Sequence, residues 1–111
     1  MLDKRKFYIN GRWVEPKRPN DFNVINPCNE EPCAIISLGS KEDTNAAIES
    51  AKNAFDTWKE TTKEDRLNYL EKLLSVYKKR SREMAGAISL EMGAPMDWAT
   101  EVQTASGQSH L

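Results

Sequence analysis

The chain has 111 residues, 30% charged and 39% hydrophobic, with 16 basic and 17 acidic side chains for a net charge of −1. That length holds one domain, and the near-neutral balance lacks the basic footprint of a nucleic-acid module. No apolar stretch approaches a membrane span, and the opening MLDKRKFYINGRW lacks the apolar core of a secretory signal, so the expected setting is cytoplasmic, with no membrane and no nucleic-acid partner.

Residues 1–39 read as a β-rich arm. Lys4-Arg5-Lys6 is a solubilising cluster ahead of the first strand. Phe7-Tyr8-Ile9 and Arg12-Trp13-Val14 flank Asn10-Gly11, the residue pair that a type I′ hairpin turn favours because both central positions need positive φ. Pro16 and Pro19 make residues 15–21 a loop. Phe22 to Asn26 predicts a strand, Cys28 to Pro32 a turn, and Cys33 to Leu38 a further strand closed by Gly39.

Residues 40–111 read as a helical segment. Ser40 with Asp43, and Thr62 with Asp65, have the spacing of a hydroxyl cap and an acid three residues on. Ile48, Ala51, Phe55 and Trp58 recur on one face of a helix of about five turns. Leu67, Leu70, Leu73, Leu74 and Tyr77 form the next apolar face, and the pattern continues through Met84, Ile88 and Met92. So long a run predicts a break or kink within Lys79 to Glu83. Gly93 is placed to end the helix, and Pro95 to be the first residue of another that buries Trp98, Val102 and Ala105. The fold class is therefore α+β, mainly helical: a hairpin and strand arm followed by three to four amphipathic helices.

The same residues offer no chemistry. Cys28 and Cys33 are four residues apart with no third ligand nearby, so neither a zinc site nor a Cys-x-x-Cys redox pair is expected. His110 is the one histidine and lacks a partner to act on. The five glycines, at 11, 39, 86, 93 and 107, match neither nucleotide fingerprint. Trp58 and Trp98 fall on apolar helix faces and are read as core, and the basic run Lys78-Lys79-Arg80 with Arg82 as a solvated surface. Catalytic, cofactor-binding and metal-binding residues are each assigned as none.

The order of the motifs nonetheless resembles one family. Ile9-Asn10-Gly11-Arg12-Trp13-Val14 is similar to the opening I-N-G-x-W-V of aldehyde dehydrogenases, and Asn26-Pro27 with Asn29-Glu30 to their N-P-x-[TN]-[GE]-E segment. Ala51, Ala54-Phe55 and Trp58 resemble A-x-x-A-F-x-x-W, and Arg66 with Leu70 to Leu74 the helix that follows. Glu91-Met92-Gly93-Ala94-Pro95 resembles E-x-G-K-P, with Ala94 where many members carry lysine.

The resemblance implies the N-terminal, incomplete part of a cofactor-binding domain. In the parent enzyme a cysteine thiolate attacks the aldehyde, hydride passes to NAD or NADP, and a glutamate-activated water releases the acid. The cysteine, the glutamate and the cofactor loop would all lie beyond residue 111, so no cofactor and no activity are expected of this segment alone. Its implied partners are the remainder of that fold, or other copies of itself through exposed helix faces. In the complete fold Ile48, Phe55, Trp58, Leu67, Leu70 and Leu74 would lock helices together, and Trp13 would anchor the hairpin. The alternative is a stand-alone, non-enzymatic interaction or oligomerisation module derived from the family.

Overall fold

The structure is a computed structural model that describes residues 1–111. It divides into two units, Met1–Ile25 with Pro32–Glu60, and Asn26–Glu31 with Thr61–Leu111.

In the first unit, β2 (Phe7–Ile9) and β3 (Arg12–Val14) form the expected hairpin, with Phe7 opposite Val14, Tyr8 opposite Trp13 and Ile9 opposite Arg12. Asn10 and Gly11 have φ of 54° and 73°, both positive as the two-residue turn demands. The Tyr8 and Trp13 rings meet edge-on, with centroids 5.3 Å apart. A second sheet has the order β1-β5-β4, made of β1 (Leu2–Asp3), β4 (Asp21–Asn26) and β5 (Glu31–Ser37). β1 was not anticipated. It runs parallel to β5, Leu2 beside Ala34 and Asp3 beside Ile35, and the Lys4 amide extends the ladder to the Ile35 carbonyl at 2.8 Å.

β5 also starts earlier than its composition suggests, so Pro32 lies inside a strand and not in the turn. The pairing with β1 covers only Ala34 and Ile35. Pro32 thus meets no β1 partner, and on that side the missing N–H costs no ladder bond.

Helix α1 spans Lys41–Trp58. Its start is a complete capping box: the Asp43 amide donates to the Ser40 hydroxyl, and the Asp43 carboxylate accepts from the Ser40 amide.

The second unit is dominated by α2, Lys63–Met92, opened by a second capping box between Thr62 and Asp65. The kink expected within Lys79 to Glu83 is absent, and α2 is one helix of 30 residues. Nothing in that stretch is a Gly or Pro that would break the backbone ladder, and Gly86, further on, has open space around it. The helix ends where expected, at Gly93 in the left-handed conformation (φ 75°, ψ 15°), whose N–H donates to the Ser89 carbonyl.

Pro95 precedes α3 (Met96–Trp98) as its cap, and is not its first helical residue. A π-helical turn, Ala99–Gln103, then leads into α4 (Thr104–Ser109). The expected buried face is not the one found: Trp98, ahead of this turn, is already exposed, and beyond it the turn changes the phase of the helix. The Thr104 amide reaches back five residues to the Ala99 carbonyl, which adds a residue to the turn and rotates everything after it. Ala99 and Thr104 are buried, while Trp98, Val102 and Ala105 are exposed. Ala85, Ala94 and Ala99, with Ile88 against them, are the apolar core of this unit. The Tyr77 hydroxyl donates to the Thr104 carbonyl at 2.9 Å and ties the last stretch to α2.

Candidate functional surface

Polar geometry in the first unit centres on Asp43, which is only 5% exposed. Its carboxylate accepts from the Lys17 amide at 2.8 Å, the Ser40 amide at 2.9 Å and the Ser40 hydroxyl at 2.7 Å. The capping partnership was readable from spacing; the bond to Lys17, 26 residues away, was not. These donors, the Lys17 amide first, hold the carboxyl below its ordinary value of 3.8. A second polar cluster closes the β1 end. Arg5 grips Asp3 through Nε and Nη2 at 3.0 and 2.7 Å and reaches Asp21 through Nη1 at 3.1 Å. The hydrogen bonds from Arg5 take Asp3 down to about 2. Lys6 pairs with Glu15 at 2.8 Å. Two of the three cations in the supposed solubilising cluster therefore hold the arm in place.

Both carboxyls have folded values below their unfolded ones, so their contribution to stability is complete above about 3.8 and is lost as the pH falls through the lowered values. Asp43→Asn is expected to flatten the decline in thermal midpoint below that pH, and circular dichroism melts across the acid range measure it. A decline as steep as in the unaltered chain would remove Asp43 from this role.

The residues weighed for chemistry are placed without reactive partners. Cys28 is exposed in the turn after β4, and Cys33 is half-buried with its thiol donating to the Val24 carbonyl at 3.3 Å. His110 is exposed, its Nδ1 2.6 Å from the Ser106 carbonyl. No group of three His, Cys, Asp or Glu side chains is gathered to hold a metal ion. In the basic run, Arg80 is engaged by Glu83 at 2.9 Å.

A dinucleotide phosphate can be received where a glycine turn exposes free amides at a helix start. Gly39 and Ser40 do join β5 to α1, but the amide of Asp43 there is taken by the Ser40 hydroxyl, and the Asp43 carboxylate occupies the position an anion would need. Gly93 is backed by Pro27 and Gly107 by Tyr77. No step of nicotinamide chemistry is therefore assigned to these side chains.

What the chain does present is apolar surface. On α1, Ile48 and Phe55 are 60% and 58% exposed, and Trp58 is exposed with them. On α2, Leu67, Leu70, Leu73 and Val76 are exposed, and Leu74 is half-buried. Trp58 and Trp98, read as core residues, do not sit in a core of this chain, and Trp13 meets Tyr8 yet remains exposed. No large side chain is fully buried. The accessible surface is 8817 Å² for 12.6 kDa, against roughly 6,200 Å² for an ordinary folded monomer of that mass. The excess, about 2,600 Å², is of the size that extensive permanent interfaces bury.

A model of the aldehyde dehydrogenase family matches residues 13–110, and the chain belongs to that family. A 3-succinoylsemialdehyde-pyridine dehydrogenase from a Pseudomonas species is 41% identical over all of this chain and 24% of its own length. The crystal structure of an aldehyde dehydrogenase from Bartonella henselae superposes with a TM-score of 0.98 at 57% identity, over 99% of this chain and 23% of that one. Aldehyde dehydrogenase C of Pseudomonas syringae, crystallised with NAD+ and octanal, superposes with a TM-score of 0.94 at 37% identity, over 96% of this chain and 22% of that one. The chain thus spans about a quarter of the length of the relatives it matches and corresponds to their N-terminal region.

Proposed function

We propose that this chain is the opening scaffold of the cofactor-binding domain of an NAD(P)-dependent aldehyde dehydrogenase that converts aldehydes to carboxylic acids. The uncovered apolar faces of α1 and α2, in a segment whose backbone is nearly superposable on the start of a fourfold longer enzyme, carry the reading. The β-rich arm of residues 1–39 and the helical residues 40–111 together form an incomplete part of that domain. The parent works in the cytoplasm. Its cofactor, thiolate and general base are contributed by other residues of the complete fold, and this segment neither binds the cofactor nor reacts. Its role is to supply packed helices, with the remaining fold as the natural cover of the apolar faces.

Two outcomes follow. The purified chain is expected to leave NAD+ and NADP+ unreduced with simple aldehydes. Mixed during refolding with the complementary three quarters of the Bartonella henselae relative, it is expected to restore NADH production that neither piece shows alone. Turnover by the chain alone, or no restoration from a mixture shown to co-elute, would overturn the scaffold reading. Without that cover the same faces favour self-association, the alternative use of the surface.

A further inference from the structure

The hairpin tip has a chemical consequence separate from its role as a turn. The chain has eight asparagines, and Asn10 is the one followed by glycine. Asn45, Asn53 and Asn68 lie inside α1 or α2, where the following amide belongs to the helical ladder. Asn26 precedes Pro27, which has no N–H, and the amide after Asn29 donates to the Asn26 carbonyl at 2.8 Å. Asn20 and Asn23 are followed by Asp21 and Val24, and a side chain on the following residue hinders ring closure where glycine does not. At the tip, by contrast, both residues are exposed, and no neighbouring atom lies within 4 Å of where a Cβ on Gly11 would be. In a two-residue turn of this type the second central N–H lies outside the strand ladder.

We propose that Asn10–Gly11 is a site of spontaneous modification through a succinimide, and that its conversion unlocks the hairpin. The Gly11 nitrogen forms a bond to Asn10 Cγ as the Cγ–Nδ2 bond breaks, and the Gly11 amide proton leaves with Nδ2 as ammonia. Water then adds across one of the two imide C–N bonds. Opening at one bond leaves aspartate; opening at the other leaves isoaspartate, with an extra methylene in the main chain. No oxidant or enzyme is required. An aspartate is compatible with the turn, since Asp-Gly also favours this geometry. Isoaspartate is not, because the lengthened loop no longer closes Ile9 opposite Arg12. Tyr8 and Trp13 then lose their register and their edge-on contact.

The test ages the chain in mildly alkaline buffer and maps isoaspartate by enzymatic methyl labelling and peptide mass spectrometry, with a urea-unfolded sample beside it. Label at residue 10 is expected to exceed that at the seven other asparagines together, and the near-ultraviolet dichroism of Trp13 is expected to decline in step. Asn10→Gly, which keeps a residue suited to positive φ and removes the carboxamide, is expected to hold that signal constant. The proposal is overturned if the folded chain shows no label at residue 10 over the interval that labels the unfolded one. It is equally overturned if the label spreads over the other asparagines, or if Asn10→Gly loses its signal as fast as the unaltered chain.

Discussion

Gly93→Ala is expected to destabilise the helical unit by about 2–5 kcal/mol, the sum of left-handed backbone strain and overpacking. Gly93 has φ of 75°, and a Cβ there would lie 2.7 Å from Pro27 Cγ. A proline ring has little freedom to withdraw, so either the Asn26–Glu31 turn or the end of α2 must shift. Urea unfolding followed by helical dichroism measures the loss. A double-mutant cycle separates the two causes. With Pro27→Ala in place, Gly93→Ala should cost only the backbone part, about 1–2 kcal/mol. An unchanged cost in that background would mean that Pro27 is not the obstacle.

The second large effect concerns assembly. Ile48→Glu combined with Phe55→Glu is expected to weaken self-association of the chain about ten- to a hundredfold, a modest fraction of the gross value of two apolar side chains. Both residues are more than half exposed, and glutamate is at least as good a helix former, so the helical signal should stay unchanged. Sedimentation velocity over a concentration series reads the association. The same variant should fail to complement the remaining three quarters of the enzyme. If it associates and complements like the unaltered chain, the α1 face is not the surface in use.

What the sequence made legible is what neighbouring residues decide among themselves. Asn10-Gly11 specifies its turn locally, Ser40 with Asp43 and Thr62 with Asp65 specify helix starts, and Gly93 specifies a helix end. What it hid depends on distant partners. β1 exists because Leu2 and Asp3 find Ala34 and Ile35, a pairing no local pattern announces. The π-helical turn at Ala99–Gln103 spaces the buried residues Ala99 and Thr104 five apart, which a strict 3.6-residue period misses. The kink expected in α2 failed for the opposite reason: run length alone does not break a helix that contains no breaker there. For the site, periodicity identified the apolar faces, and the family resemblance implied that their cover lies in the complete fold. Only the reading of Trp58 and Trp98 as core of this chain failed, because the pattern records that a face needs a cover and not whether this chain supplies it. Ile48 and Phe55 show the difference.

The parallel pairing of β1 with β5 also sets an order of events during synthesis. The β2–β3 hairpin closes between neighbours and forms on the microsecond scale, whereas Leu2 and Asp3 have no partner until Ala34 and Ile35 have been made. Leu2 and Asp3 therefore lack their strand partner while some thirty more residues are added, whereas the Arg5 clasp on Asp3 and Asp21 needs only residues made before Ala34 and can hold this stretch first.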